Sequence, residues 1–145
     1  MTKRLGAALL LSGIGLAAQG LVEGRAGSPV RVIIYEDLQC PDCANFRVML
    51  DQKILPKYGD RVEFVHRDFP LAKHAWARRA AIAARYFTEK DPKLGLEYRR
   101  HTMATHGETT ADNFKDRVAE FARGPAGIGQ ETASLLQSFR RTETG

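Results

Sequence analysis

Val30-Arg31-Val32-Ile33-Ile34-Tyr35 is a run of β-branched and aromatic side chains with little alternation, the pattern of a central strand buried on both faces. Leu38-Gln39 then turns the chain. From Pro41, suited to a first helical turn, apolar positions Phe46, Met49, Leu50 and Ile54 recur at helical offsets as far as Pro56 and predict an amphipathic helix. Tyr58-Gly59-Asp60 supplies a turn. Val62-Glu63-Phe64-Val65-His66 predicts a second strand, halted by Phe69-Pro70. Strand, helix and strand at this spacing make a right-handed βαβ unit.

After Pro70 the periodicity is helical throughout. Ala72 to Lys90 carries Trp76, Ala80, Ala83 and Phe87 on one side and is stopped by Asp91-Pro92. Leu94 to His106 predicts a second helix. A third, capped by Thr110 or Asp112, has the stripe Phe114, Val118 and Phe121 and breaks at Arg123-Gly124-Pro125; a fourth runs from Gln130 to Phe139. No strand-like run follows residue 70. The expected fold is α/β, a βαβ unit with a following helical subdomain.

The N-terminus has a different pattern. Lys3 and Arg4 precede an apolar run from Leu5 to Ala18, followed by Gly20, which reads as a secretory signal peptide over residues 1–20. The rival reading is an uncleaved membrane anchor, since the apolar stretch extends to Val22, at the lower end of a spanning length. Glycines interrupt it. Residues 21–29, glycine-rich from Glu23 to Pro29, read as a linker, and folding is expected to start at Val30. The expected organisation is signal (1–20), linker (21–29), βαβ half (30–70), then helical subdomain and C-terminal tail (71–145).

The chain's 145 residues, 43% hydrophobic, suit one domain with a real core. Beyond residue 20, 20 basic residues face 17 acidic ones, too small and too dispersed an excess to argue for nucleic acid. Arg78-Arg79, Arg140-Arg141 and the Lys57 to Arg61 run read as solvated surface.

The only two cysteines are Cys40 and Cys43, in Cys40-Pro41-Asp42-Cys43, where the first strand gives way to the helix. Two thiols at this spacing and place are suited to a redox pair. Unpaired N–H groups and the partial positive charge of a helix N-terminus stabilise a thiolate at Cys40, lowering its pKa toward neutrality or below. Cys40 is then the nucleophile and Cys43 the resolving partner. Export to an oxidising compartment allows their disulfide to persist.

Half of a zinc site is the bland alternative, but the further ligands must come from His66, His74, His101 or His106, which form no second paired motif. No metal and no cofactor are expected. A structural disulfide across so short a loop contributes little chain-entropy stabilisation. Pro41 serves as a first-turn residue and as a rigid spacer lacking an N–H. Asp42 tunes the pair: its carboxylate opposes the helix dipole, giving a higher Cys40 pKa and a less oxidising disulfide, unless solvent screens it. His66 shares a strand face with Val62 and Phe64 and reads as a packed core histidine, His74 as a capping or surface residue, and Trp76 as core.

Tyr35-Glu36-Asp37-Leu38-Gln39-Cys40-Pro41-Asp42-Cys43, together with Arg67-Asp68-Phe69-Pro70-Leu71, His74 and Ala77, resembles the DsbA-like branch of the thioredoxin superfamily, exported thiol:disulfide oxidoreductases, over about residues 30 to 125. The resemblance implies a thioredoxin-like domain with an inserted helical subdomain. It also implies periplasmic location, cysteine-containing protein substrates and a membrane partner that reoxidises the pair. Two features depart from the family. The Gly-Thr-Pro loop with its cis proline, and the hairpin and helix after it, have no counterpart; Pro125 sits in Arg-Gly-Pro-Ala-Gly instead. Two parallel strands alone leave an unpaired edge, so the sheet is expected to be incomplete in this chain, through truncation or through reliance on a partner. Ile34 occupies the place of a buried acid that moves protons for the resolving cysteine, leaving Glu36 and Asp37 as candidate relays. The competing functional class is a non-catalytic binding module, or degenerate remnant, without redox turnover.

Overall fold

The computed structural model describes residues 20–124, 126–129 and 132–141; residues 1–19 of the expected signal, Pro125 and Gln130 lie outside the described residues. The chain order is β1 (Leu21–Gly24), β2 (Arg31–Glu36), α1 (Pro41–Met49), a π-helical segment (Leu50–Ile54), α2 (Leu55–Tyr58), β3 (Glu63–Asp68), α3 (Ala77–Lys90), α4 (Pro92–Ala104), a 3-10 turn (His106–Glu108), α5 (Phe114–Arg123) and α6 (Ala133–Arg141). Among the described residues the strands make one sheet in the order β1-β3-β2. No helix among them is long and apolar enough to cross a membrane.

The parallel β2–β3 pair, in register from Arg31 opposite Glu63 to Glu36 opposite Asp68, flanks α1 as the βαβ reading expects. The sheet differs from expectation in two ways. Part of the stretch read as linker, Leu21–Gly24, is strand β1, antiparallel to β3 with Leu21 opposite His66 and Glu23 opposite Phe64. Glu23 disguised it, because a carboxylate in a short segment reads as solvated, yet it is buried. With β1 on its far side, β3 is the central strand and β2 is an edge. Val32, Ile33 and Tyr35 are therefore 41%, 50% and 65% exposed, against 3% for Phe64 and Val65.

Strand alternation and register put Leu21, Glu23, Phe64, His66, Ile34 and Glu36 on one face of the sheet, the face α1 covers. Ile34 and Phe64 pack there with Leu50, Phe46, Ile54, Leu55 and Tyr58. The buried stripe of α1 differs from the expected one: Met49 is exposed, and Ala44, Arg47 and Leu50 face inward. Nor does the helix stop at Pro56. A π-helical turn lengthens the path, and Pro56 falls in the first turn of α2, where its missing N–H is not needed.

The remaining helices enclose the larger core. Helix α3 starts at Ala77 rather than Ala72, and Trp76, Ala80, Ala83, Ala84 and Phe87 are buried along it. The Asp91-Pro92 break also starts α4, since an Asp91 carboxylate oxygen accepts from the Lys93 N–H at 2.9 Å. Gly95 lets α4 approach α3, because a Cβ there would lie 2.9 Å from the Thr88 Cα. At α5 the capping residue is Asn113 rather than Thr110 or Asp112, and it exchanges hydrogen bonds with Thr110 at 2.7 and 3.2 Å. Phe87 is the hub, with ring centroids 4.8 Å from Tyr98 and 5.0 Å from Phe121. Trp76 stacks on Phe114 at 5.7 Å, and Phe139 of α6 meets Phe114 edge-on.

Removing the hub ring opens a cavity that three helices cannot all relax into. Phe87→Ala is expected to lower stability by about 3–5 kcal/mol, read as a reduced urea midpoint with little change in slope; a loss within the range of a surface substitution would show that this cluster does not organise the core.

Candidate active site

The two cysteines lie where α1 leaves the carboxyl end of β2. Cys40 is the N-cap residue, extended at φ −76° and ψ 124°, and its carbonyl accepts the first intrahelical bond from the Ala44 N–H at 3.0 Å. Pro41 opens the helix at a position whose N–H has no intrahelical acceptor, and Asp42 is exposed in the first turn. Both thiols are free, and Cys43 is packed against the large core.

Asp37 and Gln39 hold the loop before the cysteines. The Asp37 carboxylate accepts from the Gln39 N–H and the Leu71 N–H, both at 2.8 Å, and faces His74 Nδ1 at 2.7 Å, while the Asp37 carbonyl accepts from the Cys40 N–H at 3.1 Å. Gln39 Oε1 accepts from the Trp76 N–H at 2.8 Å. The cysteine loop is thereby tied to the connection that enters the helical subdomain. His74, expected at a surface or cap, is half-buried in this clamp.

A buried charged network lies beneath α1. His66 Nδ1 is 2.8 Å from Glu36 Oε1, and its Nε2 is 3.1 Å from Glu23 Oε2. Arg47 of α1 donates to Glu23 at 2.9 Å and pairs with Asp51. From α4, Arg99 pairs with Asp68 and lies 3.5 Å from Glu36, while Arg100 pairs with Glu23 and, at 3.2 Å, Asp51. Burial alone pushes the Glu36 carboxyl up, but the hydrogen bond to His66 and the charges of Arg99, His66 and Arg47 outweigh it and hold it below the usual range. At Asp68 burial wins and raises the carboxyl despite Arg99.

Burial also raises the Cys43 thiol. A backbone hydrogen bond from Asp37 opposes the rise, and the Cys40 sulfur and the Glu36 charge add to it. The candidate relays thus have different surroundings. The Glu36 carboxylate acts on Cys43 through space, whereas the Asp37 carboxylate is committed to the loop and its backbone acts on the sulfur. Ile34 packs in the smaller core.

Pattern reading missed Glu23, Arg47, Asp51, Arg99 and Arg100. One signal was available: Cys43, Arg47, Leu50 and Ile54 share a helical stripe, which puts a charge on the face that carries the cysteine. His101, with its ring 5.3 Å from Phe121, and His106, with Nδ1 2.7 Å from the Met103 carbonyl oxygen, lie in the helical subdomain. Among the described residues no group of three or more His, Cys, Asp or Glu side chains is arranged to hold a metal.

A strand feeding a helix whose N-cap and first turn carry the two thiols, with further helices against the sheet, is the thioredoxin-like arrangement. The thioredoxin family model matches residues 17–140, and the chain belongs to that family. Among solved structures it is similar to α-DsbA1 of Wolbachia pipientis (TM-score 0.66, 17% identity, covering 88% of this chain and 67% of that one). Similar too are BdbD of Bacillus subtilis in its oxidised form (0.65, 20%, 83% and 71%) and the Wolbachia pipientis thiol-disulfide exchange protein α-DsbA2 (0.57, 16%, 86% and 70%). At these identities the likeness is one of fold. A comparison with curated proteins finds no sequence match.

The raised Cys43 thiol gives a direct measurement. In the reduced Cys40→Ser variant, the iodoacetamide reaction of Cys43 should rise with a midpoint above that of an ordinary thiol, because burial, the largest cause, remains. A midpoint at or below the ordinary value would contradict this electrostatic picture.

Proposed function

We propose that this chain is an exported thiol:disulfide oxidoreductase that exchanges disulfides with cysteine-bearing protein substrates through Cys40 and Cys43. The observation that carries the reading is the asymmetry of the pair. Cys40 caps the helix, where first-turn N–H groups favour an anion, and Cys43 is packed against the core with its thiol pushed up. One sulfur is suited to attack and be attacked, the other to close or open the bridge behind it.

In the oxidising direction a substrate thiolate attacks the Cys40 sulfur of the Cys40–Cys43 disulfide. The bridge breaks, Cys43 leaves with the electron pair, and a mixed disulfide forms. A second substrate thiolate attacks the substrate sulfur of that bond, releasing oxidised substrate and a reduced Cys40/Cys43 pair, which a quinone-linked membrane partner reoxidises. The reducing direction runs the same steps backwards with Cys40 attacking first. An acidic side chain, Asp42, in the first turn of the cysteine helix supports a reductase or isomerase over a strong oxidase. The apolar N-terminal segment, with Lys3 and Arg4 ahead of it, supports delivery to the periplasm.

Insulin reduction by the full chain should exceed background and fall to it in Cys40→Ser; equal background rates in both would favour an inert binding module. Asp42→His should raise the reduction potential in a glutathione titration, by about 30 mV for each ~1.4 kcal/mol of thiolate stabilisation. An unchanged potential would mean that solvent screens Asp42. A wild-type potential as oxidising as the strongest disulfide donors would overturn the reductase preference.

A further inference from the structure

We propose that the open edge of β2 pairs with a second copy of this chain, the two β2 strands running antiparallel about a two-fold axis at Ile33. The surface lies outside the cysteine site and owes nothing to its chemistry. Which backbone groups face outward follows from the bonds already made. The Val30 carbonyl accepts from the Glu63 N–H at 3.0 Å, and the Glu36 carbonyl from the Phe69 N–H at 2.9 Å. In a strand the N–H and C=O of one residue point to the same side, and successive residues alternate sides. The even-numbered residues of β2 therefore bond to β3, and Arg31, Ile33 and Tyr35 present their N–H and C=O groups to the open edge. Among the described residues no strand pairs with them.

The usual protections of an edge are missing. β2 has no proline, lysine or bulge, and its one cation, Arg31, is held by Glu63 through Nε at 2.5 Å. Of the eight large apolar side chains exposed among the described residues, five (Val30, Val32, Ile33, Tyr35 and Phe69) lie on this strand or beside its ends, which marks this edge as the apolar patch. Val32 is on the face that α1 covers and is still 41% exposed, so α1 does not overhang the edge.

Self-pairing fixes the register. With the axis at Ile33, that residue exchanges both bonds with its own copy, each Arg31 exchanges both with the partner's Tyr35, and every outward group of the strand is used. Moving the axis to Arg31 or Val32 sets Pro29, which has no N–H, against Ile33 or Tyr35. Moving it to Ile34 or Tyr35 carries the bonding on to Asp37, whose carbonyl is taken by the Cys40 N–H. The side chains fit the same register, since directly opposed residues share a face. The Ile33 pair meets at the centre, and each Arg31 guanidinium lies against the exposed ring of the partner's Tyr35. Phe69, edge-on to Tyr35 at 6.2 Å, extends the apolar strip. Such self-complementarity is what an isologous dimer requires and what an unrelated partner does not. Because the strands run in opposite directions, the two cysteine motifs stand at opposite ends of the joined pair and neither covers the other.

The test is sedimentation equilibrium of the reduced full chain over a wide concentration range, in wild type and Ile33→Lys. Wild type should reach a dimer. The variant sets two ammonium groups against each other on the axis and should raise the dissociation constant at least about tenfold. A wild type that stays monomeric overturns the pairing, whether or not it captures an extended peptide at this edge. So does a dimer that Ile33→Lys leaves intact, as association through the apolar N-terminal segment would be. Should that variant fail to fold, a cross-link decides. In a Cys40→Ser, Cys43→Ser background, Ile33→Cys should form a disulfide-linked dimer with diamide far faster than Val48→Cys, which replaces a side chain 51% exposed on α1. Opposed Cα atoms of a hydrogen-bonded pair stand about 5.5 Å apart, within disulfide reach. Equal rates at the two positions overturn the pairing. Insulin reduction bears on the cysteine pair alone, so either result can fail without the other.

Discussion

Desolvated carboxylates that must find cations constrain this structure more than any other contact. Glu23 on β1 and Glu36 on β2 are buried on the sheet face that α1 covers, where an unpaired charge costs several kcal/mol. Arg47, Arg99, Arg100 and His66 answer them from α1, α4 and β3. Because the partners come from elements far apart in sequence, the pairing sets where α4 lies on the sheet and which way α1 is turned. An apolar interface of similar area tolerates sliding; a network of fixed donors and acceptors does not.

The same network explains how one short motif holds two unlike thiols. Cys40 takes its environment from the helix end, a local consequence of Pro41 and the turn before it. Cys43 takes its environment from the core and from Glu36, which are tertiary. Asp37 joins the two by accepting the Gln39 and Leu71 N–H groups, so the motif and the entrance to the helical subdomain form one unit. A shift of the helices against the sheet therefore reaches the sulfurs through named hydrogen bonds.

The edge strand β2 has a contrasting character. Val32, Ile33 and Tyr35 are exposed next to Phe69, whose ring meets that of Tyr35 edge-on at 6.2 Å. A strand bearing apolar side chains with one backbone edge unpaired among the described elements is a surface that favours further pairing. It explains why composition alone reads β2 as central: its residues are those of an interior strand, and only the sheet order leaves them at an edge.

Legibility followed the range of the interactions. The βαβ unit, the helices beyond residue 70 and the cysteines at the start of α1 were readable because hydrophobic period, proline placement and thiol spacing act within a few residues. Strand β1, the inward turn of Arg47, the clamp made by Asp37 and the triad around His66 were not, since a buried charge looks like a solvated one until its partner is known. Glu23 read as linker and is the centre of the ion network; His66 read as packed core and is held between two carboxylates. Local chemistry along the chain determined where the two thiols stand, whereas their electrostatic setting was decided by tertiary structure, because the charges that set it converge from residues 23 to 100 only once the sheet and α4 have met.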